Sequence, residues 1–324
     1  MDSRKVNLKI LTPCFCAGAE QSRAELRAPS VRGQLRWWFR VLGGTPEQEK
    51  SLFGGVHKLP SETDDDEHTA ASKVIVRVRV LEQLYGQPQD LPRQNCPGYY
   101  LFHFANASNK PKGAANGPRY QKEAWFAPDT SFEVSVAFRI TLTQVEKELF
   151  DKTWQAFLML GSLGLRQTRG LGAFSPDSPP APQEVKKVLG QLADCQVPSW
   201  IVTPEIGDAF LGDWLEALIR LEATVGYFRQ HGFSAGRTGG NATPLGTSSP
   251  RQASALHLRP IRTTQGILPV VFLAPQTLAN WKETRLAEFN QAINNAKDIR
   301  YPYMQQIPNP DTRKSLALTP SNQF

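Results

Sequence analysis

With 324 residues the chain is long enough for two hydrophobic cores, and 37 Lys and Arg against 30 Asp and Glu give it a formal charge of +7. That balance favours nucleic acid or another anionic surface as partner and says nothing of fold. No run approaches the ~18 apolar residues that span a bilayer, the N-terminus lacks the apolar stretch of a signal peptide, and Cys14, Cys16, Cys96 and Cys195 form no CxxC pair. Membrane insertion and a disulfide-stapled secreted scaffold are excluded, and a cytoplasmic protein with reduced thiols is expected.

In chain order, Val6, Leu8 and Ile10 alternate with polar residues and predict a half-buried strand. After a long loop, Ser30 is placed to cap a helix whose apolar face is Val31, Leu35, Trp38, Phe39 and Leu42, ended by Gly43-Gly44. Val74, Val76, Val78 and Val80 predict a second strand. The unbroken alternation of Phe132, Val134, Val136, Phe138, Ile140 and Leu142 predicts a third. A helix follows from about Val145 to Gly161, and Leu171 to Phe174 reads as a short closing strand.

This order is β-α-β, β-α-β, the ferredoxin-like pattern, interrupted by an insertion at about residues 82–130 that reads as a surface excursion; its apolar Tyr99 to Phe104 suits one strand of a hairpin. The proline-dense Ser175 to Pro182 marks a boundary between domains at 1–178 and 179–324. Beyond it come a helix over Leu211 to Phe228, strands over Ser254 to Arg262 and Ile267 to Leu273, and a helix over about Gln276 to Lys297. The fold class is α+β, two ferredoxin-like (RRM-like) domains with insertions and glycine-rich loops.

Charge is distributed unevenly. Ala223 to Lys282 contains no Asp or Glu but holds Arg229, Arg237, Arg251, Arg259 and Arg262, and Lys152 to Pro176 is also free of acid. Arg32, Arg36 and Arg40 form a stripe on the first helix with Gly33 and Trp37 beside it. It is either a solvated face or a track for phosphates with a base on the indole. Gly161 to Gly172 follows a helix and precedes a strand, and it lacks the Gly-Lys-Ser/Thr ending, so it is neither a Walker loop nor a Rossmann fingerprint. Its four glycines exceed what a helix cap needs, and with Arg166 and Arg169 they suggest backbone N–H groups lining a polyphosphate. Ala255, His257 and Arg259 share one strand face, which would let His257 and Arg259 meet RNA together.

Catalysis has little support. His57, His68, His103, His231 and His257 are scattered, the acidic run Asp64 to Glu67 suits a solvated loop, and neither metal nor cofactor is called for.

Leu11-Thr-Pro13, Leu26-Arg27-Ala-Pro29-Ser30 running on through Val31-Arg32-Gly33-Gln-Leu35-Arg36-Trp37-Trp38-Phe39-Arg40, and Leu52-Phe53-Gly54 resemble the N-terminal signature of one family. It is the family of the first-named RAMP subunit in the type III-B CRISPR (Cmr) effector. Gly164 to Gly172 is similar to the glycine-rich loop of the wider RAMP superfamily, and Arg251 to Arg259 resembles that subunit's C-terminal segment. The resemblance implies a non-catalytic subunit at one end of a ribonucleoprotein. Such a subunit contacts the 3′ part of guide RNA and the paired target RNA, aids target capture in antiviral defence, and docks other Cmr-type subunits. From charge, spacing and the resemblance together, the candidate RNA-binding residues are Arg27, Ser30, Arg32, Gly33, Arg36, Trp37, Arg40, Arg166, Arg169, Gly170, Gly172, Arg237, Arg251, His257 and Arg259. On this reading, replacing the arginine stripe by Ala weakens RNA binding with little loss of folding. The alternative is a RAMP-type metal-independent endoribonuclease processing guide precursor, with His57 or His257 as its acid or base.

Overall fold

The computed structural model describes residues 3–57 except 21, 68–105 except 94, 123–204, 208–233, 245–248, 251–252, 254–274, 283–297, 299 and 316–324. Its first sheet has the strand order β4-β5-β1-β6, formed by β1 (Ser3–Ile10), β4 (Val74–Glu82), β5 (Ser131–Phe138) and β6 (Phe174–Pro176), with each neighbouring pair antiparallel. Between these strands the chain runs through α1 (Ala28–Val41), α2 (Pro46–Phe53), a small hairpin of β2 (Gly55–His57) and β3 (His68–Ala70), and α4 (Gln144–Leu160). Alternation places Leu8, Ile10, Phe132, Val134 and Val136 on the face that α1 and α4 cover.

The same order recurs. After α5 (Pro182–Asp194), β7 (Ser199–Pro204), α6 (Trp214–Phe228), β10 (Leu256–Thr263), β11 (Gly266–Leu273), α7 (Glu283–Asn294) and β12 (Leu316–Pro320) build a sheet of order β10-β11-β7-β12. Both sheets therefore follow the ferredoxin-like arrangement. Thr247–Ser248 and Arg251–Gln252 form a short ladder, β8 and β9. The two modules share their apolar interior: Trp38 of α1 lies 5.6 Å from Phe272 of β11, and Ile261, Leu268 and Val270 belong to the cluster around α1 and α4.

Several expectations need correction. The residue at the cap position of α1 is Arg27, whose side chain makes no cap, and Ser30 lies exposed within the first turn. β5 stops at Phe138, leaving Ile140 exposed, and the closing strand starts at Phe174 instead of Leu171. α6 starts at Trp214, because Leu211 is drawn into backbone bonds with Ile267. Within the insertion Tyr99–Phe102 is α3, a helical turn rather than a strand. The insertion is also no surface excursion, since Leu101, Phe102 and Trp125 are fully buried with Leu218 and Leu221 of α6. Burial of that apolar run against the second module, with Glu222 accepting from the backbone N–H groups of Gly98 and Tyr100, fixes it as a turn of helix.

Candidate nucleic-acid interface

The glycine-rich segment is the joint between the two modules. Leu165 N–H donates to Phe15 O at 2.8 Å and Gly172 N–H to Pro13 O at 3.0 Å, which ties it to the loop after β1. On its other side Leu258 N–H donates to Thr168 O at 3.1 Å, and Arg169 bridges to Leu258, so the segment lies along the free edge of β10. Gln34 of α1 reaches Gln167 at 2.7 Å. The glycines follow from this threading. A Cβ on Gly172, at φ +65°, would stand 1.8 Å from Leu163 O, and one on Gly164, at φ +87°, would stand 2.5 Å from Phe15 O. Close approach to the protein's own backbone thus accounts for residues that the sequence read as surplus to structure, and both Gly170 and Gly172 are buried.

Around this joint, guanidinium groups gather with little opposing charge. Arg169 is 7 % exposed and donates to Ser254 Oγ and Leu245 O. Arg259 is 2 % exposed and donates to Gln167 O at 2.6 Å, leaving its Nε without a partner. Neither meets a carboxylate among the described residues. Burial lowers both pKa values, that of Arg259 to about 9. Arg166, half-buried at φ +54°, donates to Tyr100 O at 3.2 Å, and the exposed Arg229 lies 4.0 Å from the Tyr100 ring centroid. Desolvation lowers the Arg166 pKa, and Arg229 adds to the effect. The carboxylate facing this group is Glu222, buried behind Tyr100. Desolvation raises its pKa to about 7 against the opposing pull of the Gly98 and Tyr100 N–H groups and of Arg229.

The α1 stripe faces elsewhere. Arg36 Nε donates to Glu49 Oε1 at 2.5 Å, Arg40 Nη1 reaches the same carboxylate at 3.1 Å, and Arg32 donates to Phe53 O at the end of α2. Glu49 is buried, so these arginines clamp α2 against α1. They are neither the free solvated face nor the free phosphate track that the sequence offered, and their replacement by Ala would cost folding. On the same helix Arg27, Ser30 and Gly33 are exposed, and a Cβ at Gly33 would have nothing within 4 Å.

The outward pairing of His257 and Arg259 is corrected as well. Both faces of β10 are buried, and the His257 ring packs against both Trp37 and Phe272, 4.9 Å from each. Burial, with Arg259 and Arg169 nearby, holds its pKa well below the usual imidazole value. Trp37 is half-buried in that stack. Arg237, Asp64 to Glu67 and most of the loop around Arg237 lie outside the described residues, and Arg251 is described only as backbone of β9. Among the described residues no group of three or more His, Cys, Asp or Glu could hold a metal, and no helix is long and apolar enough to cross a membrane.

Tyr100, Phe104 and Glu222 escaped the sequence reading, and Arg229 was noted only as one cation of the acid-free stretch. The available signal was Glu222 standing at the border of that stretch with Arg229 seven residues on. Their meeting with Tyr100 is a contact between segments more than a hundred residues apart.

The RAMP superfamily model matches residues 7–175. A Pyrococcus furiosus protein, CRISPR system Cmr subunit Cmr1-2, is 26% identical over 189 residues, covering 52% of this chain and 91% of that protein. The crystal structure of Cmr1 from Pyrococcus furiosus in its apo form superposes with a TM-score of 0.53 at 17% identity, covering 84% of this chain and 88% of that one.

Proposed function

From the premise that the chain belongs to the RAMP superfamily, we propose that it is a non-catalytic, RNA-binding subunit of a cytoplasmic type III-B CRISPR (Cmr) effector. There it contacts the 3′ part of guide RNA and the paired target beside other Cmr-type subunits. The similarity to a named Cmr subunit over 91% of its length supports the assembly. The observation that carries RNA binding is the gathering of Arg166, Arg169, Arg229 and Arg259 at one joint, where the facing carboxylate, Glu222, is buried with its pKa raised by desolvation. Burying a guanidinium without a counter-charge costs several kcal/mol, and a polyphosphate laid over the joint supplies the missing charge.

In this reading the partly exposed Arg166 and the exposed Arg229 touch phosphates, while the interior Arg169, Arg259 and His257 hold the joint and contribute its field. Gly170 and Gly172 let the backbone pass. Arg27, Ser30 and Gly33, exposed on α1, offer a second contact, and Arg237 and Arg251 enter the reading by charge alone. No cleavage step is assigned, because His257 is buried against two aromatic rings and its Nδ1 has no partner among the described residues.

The test is fluorescence anisotropy of a labelled guide-like RNA as a function of NaCl. Changing both Arg166 and Arg229 to Ala is expected to weaken binding and to flatten the log–log salt slope by about 1.4, two single-strand phosphate contacts at roughly 0.7 each. Unchanged affinity and slope would refute the assignment.

A further inference from the structure

RNA-binding ferredoxin-like domains of the RRM type stack bases on aromatic side chains of the open sheet face. Among the described residues the open face of the first sheet has no such aromatic row. The residues exposed on β1 and β4 include Lys5, Asn7, Arg77 and Arg79, and Lys5 and Arg79 are drawn onto Glu133 at 2.6 and 3.4 Å. Flat side chains are instead collected on the insertion. Tyr100 and Phe104 are both partly exposed. The Arg166 guanidinium lies 5.8 Å from the Tyr100 centroid and 5.0 Å from that of Phe104, and Arg229 lies over Tyr100. Leu165, the chain neighbour of Arg166, is 49 % exposed.

Resting on the RNA-binding reading above, we propose that Tyr100, Phe104, Arg166 and Arg229 form a stacking platform for an unpaired base, so that the site takes a single-stranded stretch of RNA in preference to a duplex. The backbone geometry sets the platform before any ligand arrives. Glu222 fixes the Gly98 and Tyr100 N–H groups at 2.6 and 2.9 Å, and Arg166 returns a hydrogen bond to Tyr100 O, so the ring is anchored from both sides of its own peptide. A guanidinium already lying over an aromatic ring offers a second planar surface to a base, and Leu165 supplies an apolar edge. Bases inside a duplex are already stacked on their neighbours and have no free face for such a surface; an unpaired base has one. Stacking is indifferent to base identity, which suits a subunit whose sequence specificity comes from guide pairing.

The experiment uses the full chain with a single-stranded RNA carrying one 2-aminopurine and with the blunt duplex of the same sequence. Arg229→Lys keeps the charge but loses the plane, and Tyr100→Leu keeps the backbone anchors but loses the ring. Each is expected to weaken single-strand binding about tenfold and to abolish the change in 2-aminopurine fluorescence, with duplex affinity held within about twofold. Duplex binding also reports that the variant is folded. If Arg229→Lys binds the single strand like the parent while Arg229→Ala does not, charge alone is at work; the platform is overturned and phosphate binding stands. An equal loss for both RNAs overturns the platform too. Absence of affinity for either RNA in the parent chain overturns both proposals.

Discussion

Glu222 offers a measurement that depends on the interior of the joint alone. Its folded-state pKa is about 7 against an ordinary 4.5, with desolvation as the main cause. Between those two values the folded chain holds a proton that the unfolded chain has already released, so stability falls as pH rises from about 4.5 through about 7 and is level above that. A displacement from 4.5 to about 7, at roughly 1.4 kcal/mol per unit, corresponds to about 3 kcal/mol. Glu222→Gln removes this titration while keeping an acceptor for the Tyr100 N–H. Urea unfolding of both proteins from pH 4.5 to 8.5 is expected to show the parent losing about 3 kcal/mol relative to the variant, most of it between pH 5 and 7. Taking the difference between the two proteins cancels every other titrating group. A stability difference that stays constant over this range would show that the carboxylate is solvated in solution and that the joint is open to water.

Two further outcomes follow from α1. Gly33→Ala is expected to stabilise the chain by roughly 0.5–1 kcal/mol, because the glycine lies in a helix with open space around it; thermal melting measures this. The same variant is expected to weaken RNA binding by anisotropy if a strand passes close to that turn. Changing both Arg36 and Arg40 to Ala is expected to cost roughly 2 kcal/mol in urea unfolding, since Glu49 is left buried without a counter-charge, less than for a fully enclosed pair because both arginines are partly exposed. Little change in stability would return the stripe to the role of a free surface.

In the first sheet the ferredoxin-like order was legible because alternation survives wherever one sheet face is buried and the other is not, and Phe132 to Phe138 gave β5; β10 and β11, buried on both faces, were legible only as two strand-like runs, Ser254 to Arg262 and Ile267 to Leu273. What escaped depends on partners distant in sequence. Tyr99 to Phe104 is apolar enough for a strand, and only Glu222, more than a hundred residues later, makes it a turn of helix. The arginines of α1 were correctly read as a stripe, but the carboxylate that binds them is on α2, at the (i, i+9) and (i, i+13) positions where no helical spacing rule applies. The glycines were counted as one group, whereas each answers to a different neighbour, Phe15, Leu163 or Leu218. The acid-free stretch was the sequence's clearest functional signal, and in the structure part of its positive charge faces inward, on Arg259 beneath the glycine-rich segment.

That segment also sets how the protein can be divided. The edge of β10 is sealed by Thr168 and Arg169, residues contributed by the other repeat. A chain beginning at Pro182 would bare the Leu258 N–H, and one ending at Pro176 would leave Thr168 and Arg169 with no strand to cover. Separating the halves therefore unseals an edge of the second sheet, a template for pairing with another chain.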